Sequence, residues 1–195
     1  MTDDPEADGI ESSVAAHDDL AGIVDLFGAM TRSELRRGLS ELAFKRGADV
    51  DDAALQTTID AAVRDYYLVP IDGADADLGP ADEPLLVVGP AAFPSVPPNA
   101  EDLPHILDVP DRHLDRDTLG RTVRDRLAAD VADAAASADR SRLETLLEVT
   151  YDLEAWGSVD ATDLRERILE AVETIEARDD GDSAGTTGGD SDVEE

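Results

Sequence analysis

A chain of 195 residues is long enough for one domain with a sizeable core, or for a small module carrying a helical extension. Its 47 acidic residues outweigh 16 basic ones, 32 of the acids are Asp, Lys45 is the only lysine, and the formal charge is -31. The absence of cysteine excludes a disulfide framework and any thiolate site.

Such a charge repels itself in dilute salt, whereas at molar salt the Debye length falls to about 3 Å and the repulsion is screened. The composition therefore points to concentrated brine as the working solvent. A wholly disordered acidic chain would lack the 42% hydrophobic residues that recur here in periodic stripes. No run approaches the ~18 consecutive apolar residues of a membrane span, and the first twenty residues have neither a basic start nor an apolar stretch. A soluble, cytoplasmic protein without membrane association is expected.

Residues 1–16 are polar and acidic, with too little apolar surface to offset the entropy of ordering, and are expected to be a disordered tail. The first helix is predicted from Asp18 to Met30, with Leu20, Ile23, Val24, Phe27 and Met30 on one face and Asp25 and Ala29 opposite. His17, at its entrance, is expected to be solvated. Thr31-Arg32-Ser33-Glu34 reads as a capping box opening a second helix. Leu35, Leu39 and Leu42 form its buried stripe, and Gly47 supplies its stop. Phe44 lies nearly opposite Leu35, so either the C-terminal helices cover it, the expected case, or it meets a partner.

Asp49, Asp51 and Asp52 suit the N-terminus of a third helix, whose Leu55, Ile59, Val63 and Tyr66 point inward and Gln56, Thr57, Asp60 and Arg64 outward. YYLVPI and LLVV read as two strands of a hairpin with a long loop, Pro70 confining the first to an edge or a ladder end. Six of the ten prolines fall between Gly89 and Pro110. That segment is expected to be an extended connector without helix, anchored through Phe93, Val96, Leu103 and Ile106. His105 and His113 lie near several Asp residues, but their spacing is not that of a helical metal pair, and no metal or cofactor is expected.

Leu119, Val123, Leu127, Val131 and Ala135 mark a long helix. A second opens at Ser141, with Glu144 completing a capping box, and closes at Trp156 and Gly157. A third carries Leu164, Ile168, Val172 and Ile175. Short connections make the three antiparallel neighbours. After Arg178 the tail is linker-like.

The expected fold is mainly α with a small β-hairpin. Three short helices followed by two strands over residues 17–90 give a winged-helix-like module. A Pro-rich connector (91–111) joins it to a helical region (112–178) that packs on the module, and disordered acidic tails (1–16, 179–195) flank the whole. The span that includes DDLAGIVDLFGAMTRSELRRGLSELAFKRG, DYYLVPID, GPAAFPSVPPNAEDLPHILDVPDR and YDLEAWGSVD resembles an uncharacterised family of haloarchaeal proteins. That resemblance implies a halophilic setting and one compact unit, and carries over no functional residues.

Residues 31–46 hold Arg32, Arg36, Arg37, Lys45 and Arg46 against Glu34 and Glu41, a local charge of +3 in a chain of -31. With Phe44 and Arg64 they form the candidate interaction or nucleic-acid surface. A DNA-binding regulator would use the arginines on phosphates, yet the would-be reading helix offers Asp51, Asp52, Asp60 and Asp65 with one arginine. Motifs of nucleophilic, phosphate-cradling or metal-dependent enzymes are missing. The expectation is a non-enzymatic protein-interaction module with a protein partner or a second copy of itself, the DNA-binding regulator being the alternative.

Overall fold

Successive residues of the two apolar strand segments point to opposite sides of a sheet, and here both sides are apolar. A computed structural model describes residues 5–47, 51–73 and 83–184. In chain order the elements are α1 (Pro5–Asp25), β1 (Met30–Thr31), α2 (Arg32–Lys45), α3 (Asp52–Arg64), β2 (Leu68–Ile71), β3 (Leu85–Val88), α4 (Leu103–Ile106), α5 (Arg116–Ala136), α6 (Arg140–Trp156) and α7 (Thr162–Ala184). The chain is mainly helical with one small antiparallel sheet, in the strand order β1-β3-β2.

The register pairs Met30 with Leu86, Leu68 with Val88, Val69 with Val87 and Ile71 with Leu85. Met30, Leu68 and Leu86 therefore share one face. They meet Ile23 of α1, Phe27 in the turn after it, Leu35 of α2, Ile59 of α3, and Leu103 and Leu107 in and after α4. Val69, Ile71, Leu85 and Val87 share the other face and meet Leu127 of α5, Leu146 and Leu153 of α6, and Ile168 of α7. Two cores thus stand back to back on one three-stranded wall. Pro70 sits on the edge strand β2, where a missing N–H costs no ladder bond on the outer side.

Several expectations need correction. The first helix begins at Pro5 rather than Asp18, so residues 5–16, expected as a disordered tail, are helical, while residues 1–4 lie outside the described residues. Proline at the first helical position lacks a donor that would be unpaired there in any case. The same helix stops at Asp25 instead of Met30. At Gly28 the chain turns with φ +72, and the Arg112 carbonyl lies 1.8 Å from where a Cβ would stand, so only glycine fits. That turn delivers Met30 and Thr31 to a third strand and buries Ala29, which was placed on the outer face.

Leu39 is only half-buried, because Gly38 takes the inward place and brings α2 against Leu107 and Leu103. The connector contains the four-residue helix α4, with Pro104 in its first turn. It is anchored by Leu103, Leu107 and Ala100, whereas Phe93, Val96 and Ile106 are exposed. Its path is fixed by hydrogen bonds to α1: the Ser95 amide donates to the Asp18 carbonyl (3.1 Å) and the Phe93 amide to the Asp18 carboxylate (2.9 Å). Asp139, not Ser141, caps α6, accepting from the Arg142 amide at 3.0 Å. The last helix runs to Ala184, so residues 179–184 are helical where a tail was expected, and 185–195 lie outside the described residues, as do 74–82 of the hairpin loop.

Because the two cores share the sheet, they should unfold together. Ile59→Ala, in the core distant from the single Trp156, should cost about 2–5 kcal/mol. It should lower the unfolding midpoint read by Trp156 fluorescence as much as the one read by far-ultraviolet circular dichroism. A Trp156 midpoint that stays put would show two independent units.

Candidate interaction surface

The cap of α2 sets where the basic residues point. Thr31 Oγ1 accepts from the Glu34 amide (3.1 Å) and Glu34 Oε2 accepts from the Thr31 amide (2.7 Å), the expected capping box. Glu34 has a second role that local sequence does not reveal. Arg112 donates to both its carboxylate oxygens (2.8 and 2.9 Å) and, through the same Nη1, to the Ala29 carbonyl (2.7 Å). The end of the connector is thereby clamped to the start of α2. Burial alone would raise the Glu34 carboxyl, but the bonds from Arg112 and Thr31 prevail and hold it below its ordinary pKa.

From that cap the cations of α2 fan outward, and most meet a carboxylate. Arg32 reaches Asp60 (2.7 Å), Arg36 reaches Asp52 (3.0 Å) and Lys45 reaches Asp102 (3.4 Å). Arg64 lies along Asp65 (2.6 Å), and Arg46 donates to the Pro98 carbonyl (3.1 Å). Hydrogen bonds from Gln56 and then Arg32 hold the Asp60 carboxyl below its ordinary pKa. Arg37 is exposed and has no ion pair among the described residues. Exposed pairs of this kind contribute only ~0–1 kcal/mol each. Their consequence is neutralisation: the local excess of positive charge is spent on neighbouring aspartates.

Phe44 is 81% exposed, the most exposed large apolar side chain described. The C-terminal helices, expected to cover it, pack instead on the far face of the sheet. Both α2 and α3 border an apolar groove of about 400 Å³ that α1 closes, lined by Leu20, Ile23, Leu39, Leu42 and Leu55.

Where α3 ends, a polar cluster ties the two halves of the molecule. Tyr66 is fully buried with φ 64, and its hydroxyl donates to Asp130 (2.8 Å). Burial, followed by the charge of Asp130, pushes that hydroxyl's pKa up, so it stays a donor. Arg126 stacks over the ring at 4.6 Å and donates to the Val63 carbonyl (2.7 Å), while Arg142 donates to the Arg64 carbonyl (2.8 Å). Two guanidinium groups thus satisfy the last carbonyls of α3, where cations are favoured. Their sequence signal is faint: each neighbours a core leucine, Leu127 or Leu143.

His113 is exposed, with its ring 3.7 Å from Asp111. Among the described residues, no three metal-ligating side chains come together, and no helix is long and apolar enough to cross a membrane. His17, expected in solvent, is buried, with its ring centroid 4.9 Å from that of Tyr67.

Residues 18–173 match the model of a family of unknown function. No curated protein and no solved structure matches the chain at a significant level.

The Glu34 clamp has a pH signature. A carboxylate whose folded pKa is depressed contributes stability above its unfolded pKa and loses it as pH falls through the folded value. Glu34→Gln should therefore destabilise the chain at about pH 6, and the gap to wild type should narrow as pH drops below about 4.5 in thermal melts. A gap of constant size would show that the carboxylate's charge contributes nothing.

Proposed function

The chain belongs to the family of unknown function DUF7109, which brings no residue roles with it, and we propose from the geometry that it is a non-enzymatic protein-interaction module built on a winged-helix plan. The plan is supported by the element order α1-β1-α2-α3-β2-β3 and by the strand order β1-β3-β2. The single observation that carries the interaction reading is Phe44. A large apolar side chain standing 81% exposed, on the same helix as Arg37, which has no ion pair among the described residues, fits a protein contact better than a solvated surface.

Duplex binding finds less support. A reading helix needs donors for base edges and a rim of cations for phosphates. Here α3 presents Asp52 and Asp60, and the arginines nearest to it already bind those two carboxylates. Each cation turned to a phosphate would release a carboxylate facing the same phosphate, a repulsive exchange. Among the described residues of this surface, Arg37 has no ion pair and Arg46 meets only the Pro98 carbonyl. A cytoplasmic location in concentrated brine, as in the halophilic setting implied by the sequence resemblance, belongs to the same proposal and rests on the charge of -31.

At molar KCl the full chain should recover a stoichiometric protein partner or sediment as a dimer, and Phe44→Asp should abolish that association. Random-sequence duplex should not be retained, and changing Arg32, Arg36 and Arg37 to Gln should leave no DNA phenotype. Specific duplex binding that vanishes in the triple variant would overturn the reading in favour of a DNA-binding regulator. In the same salt series the helical signal should weaken below about 0.1 M, where the Debye length reaches ~10 Å. A signal and melting midpoint that do not change would remove the brine setting.

A further inference from the structure

The outward stripe of α2 carries a base, an acid and an aromatic ring in register. At about 100° per residue, Arg37, Glu41 and Phe44 fall within one narrow arc, opposite the buried Leu35 and Leu42. Phe44 and Arg37 are exposed and Glu41 is half-buried. Arg32, Arg36 and Lys45 of the same segment each reach a carboxylate elsewhere in the fold. Arg37 and Glu41 make no ion pair or hydrogen bond among the described residues. They stand at i, i+4, a spacing at which Arg140 and Glu144, in the same order along α6, do pair at 2.8 Å. Arginine before glutamate is the weaker order for such a pair. On α2 it leaves both charges open, one turn apart, beside an exposed ring.

Such a stripe is complementary to itself. A two-fold axis through the stretch between Arg37 and Glu41 packs α2 antiparallel on its own copy. Arg37 of each copy then stands opposite Glu41 of the other, and every contact is made twice, as an isologous interface requires. Side chains lean toward the N-terminus of their own helix, so in the antiparallel pair Phe44 of one copy and Arg37 of the other lean toward each other. The arginine methylenes give the ring apolar contact, and the guanidinium is attracted to its face. Net charge favours the same face. Each copy carries -31, so contact between copies is least opposed where basic residues outnumber acids, and residues 31–46 carry +3.

We propose that the partner of this module is a second copy of the chain, docked through α2 with Arg37 of each copy paired to Glu41 of the other and Phe44 packed on the arginine stem. The proposal rests on the protein-interaction reading above and names its partner. A helix of 14 residues presents a face roughly 21 Å long and 10 Å wide. That falls short of the ~1,000 Å² of a stable interface, so the dimer exchanges with monomer, with a Kd on the order of 100 µM.

The test is sedimentation equilibrium of the full chain in molar KCl, where long-range repulsion is screened, from about 1 µM to 1 mM. Wild type should pass from monomer to dimer across that range, and Phe44→Asp should stay monomeric. Arg37→Glu and Glu41→Arg, both outside the core, should keep the helical signal and each weaken the dimer at least about tenfold, because each places like charges together twice. An equimolar mixture of these two variants should regain association, since acid then opposes base at both contacts. The proposal is overturned if wild type stays monomeric to about 1 mM, if Phe44→Asp leaves the dimer intact, or if the mixture associates no better than either variant alone. A monomeric chain that captures a different protein stoichiometrically, and loses it on Phe44→Asp, would overturn the self-pairing and leave the interaction reading standing. Association of neither kind would overturn both.

Discussion

The three-stranded sheet is apolar on both faces, and the rest of the molecule follows from that constraint. Strand β3 lies between β1 and β2 and sends Leu86 to one core and Leu85 and Val87 to the other. Burying a Val, Leu or Ile side chain contributes ~1.5–3 kcal/mol. Leaving Val69, Ile71, Leu85 and Val87 in water would therefore forfeit roughly 6–12 kcal/mol, comparable to the ~5–15 kcal/mol that holds a whole domain folded. The helices α1 to α3 cannot stand as a separate module. What α5 to α7 supply is the second wall.

Polar contacts fix how the two walls meet. Tyr66 occupies a left-handed backbone conformation, which costs of order 1–3 kcal/mol for a bulky residue. Its complete burial, its bond to Asp130 and the guanidinium of Arg126 over its ring offset that cost. At the other edge of the sheet Arg112 joins Glu34, Ala29 and Phe27, tying the connector's end, the turn at Gly28 and the cap of α2 together. In a chain of charge -31 three of the scarce arginines, Arg112, Arg126 and Arg142, are thus spent on closing helix ends and clamping segments. Among the exposed apolar side chains described, Phe44 stands out furthest from the fold.

Much of this was legible in local sequence because local physics decides it. The capping box at Thr31, the Asp51 cap, the stop at Gly47 and the edge placement of Pro70 all stand where residue type demands. The strand β1 was not legible, since two residues leave no alternation to read. Nor was the clamp between Glu34 and Arg112, whose partners are 78 residues apart in the chain. The side of α2 that Phe44 occupies could be computed from its spacing to Leu35. Whether anything covers that side depends on where α5 to α7 dock, which no helical period records. His17 illustrates the same limit: a polar residue in an acidic run is buried because Tyr67 is brought beside it from fifty residues away.

The claim on which the account rests is that one sheet holds both cores in a single cooperative unit, and native-state hydrogen exchange at molar salt measures it directly. The slowest amides of α3, β3 and α5 should exchange with one common opening free energy, the global one. The account is contradicted if α3 opens more than about 2 kcal/mol below α5 while α5 keeps its protection.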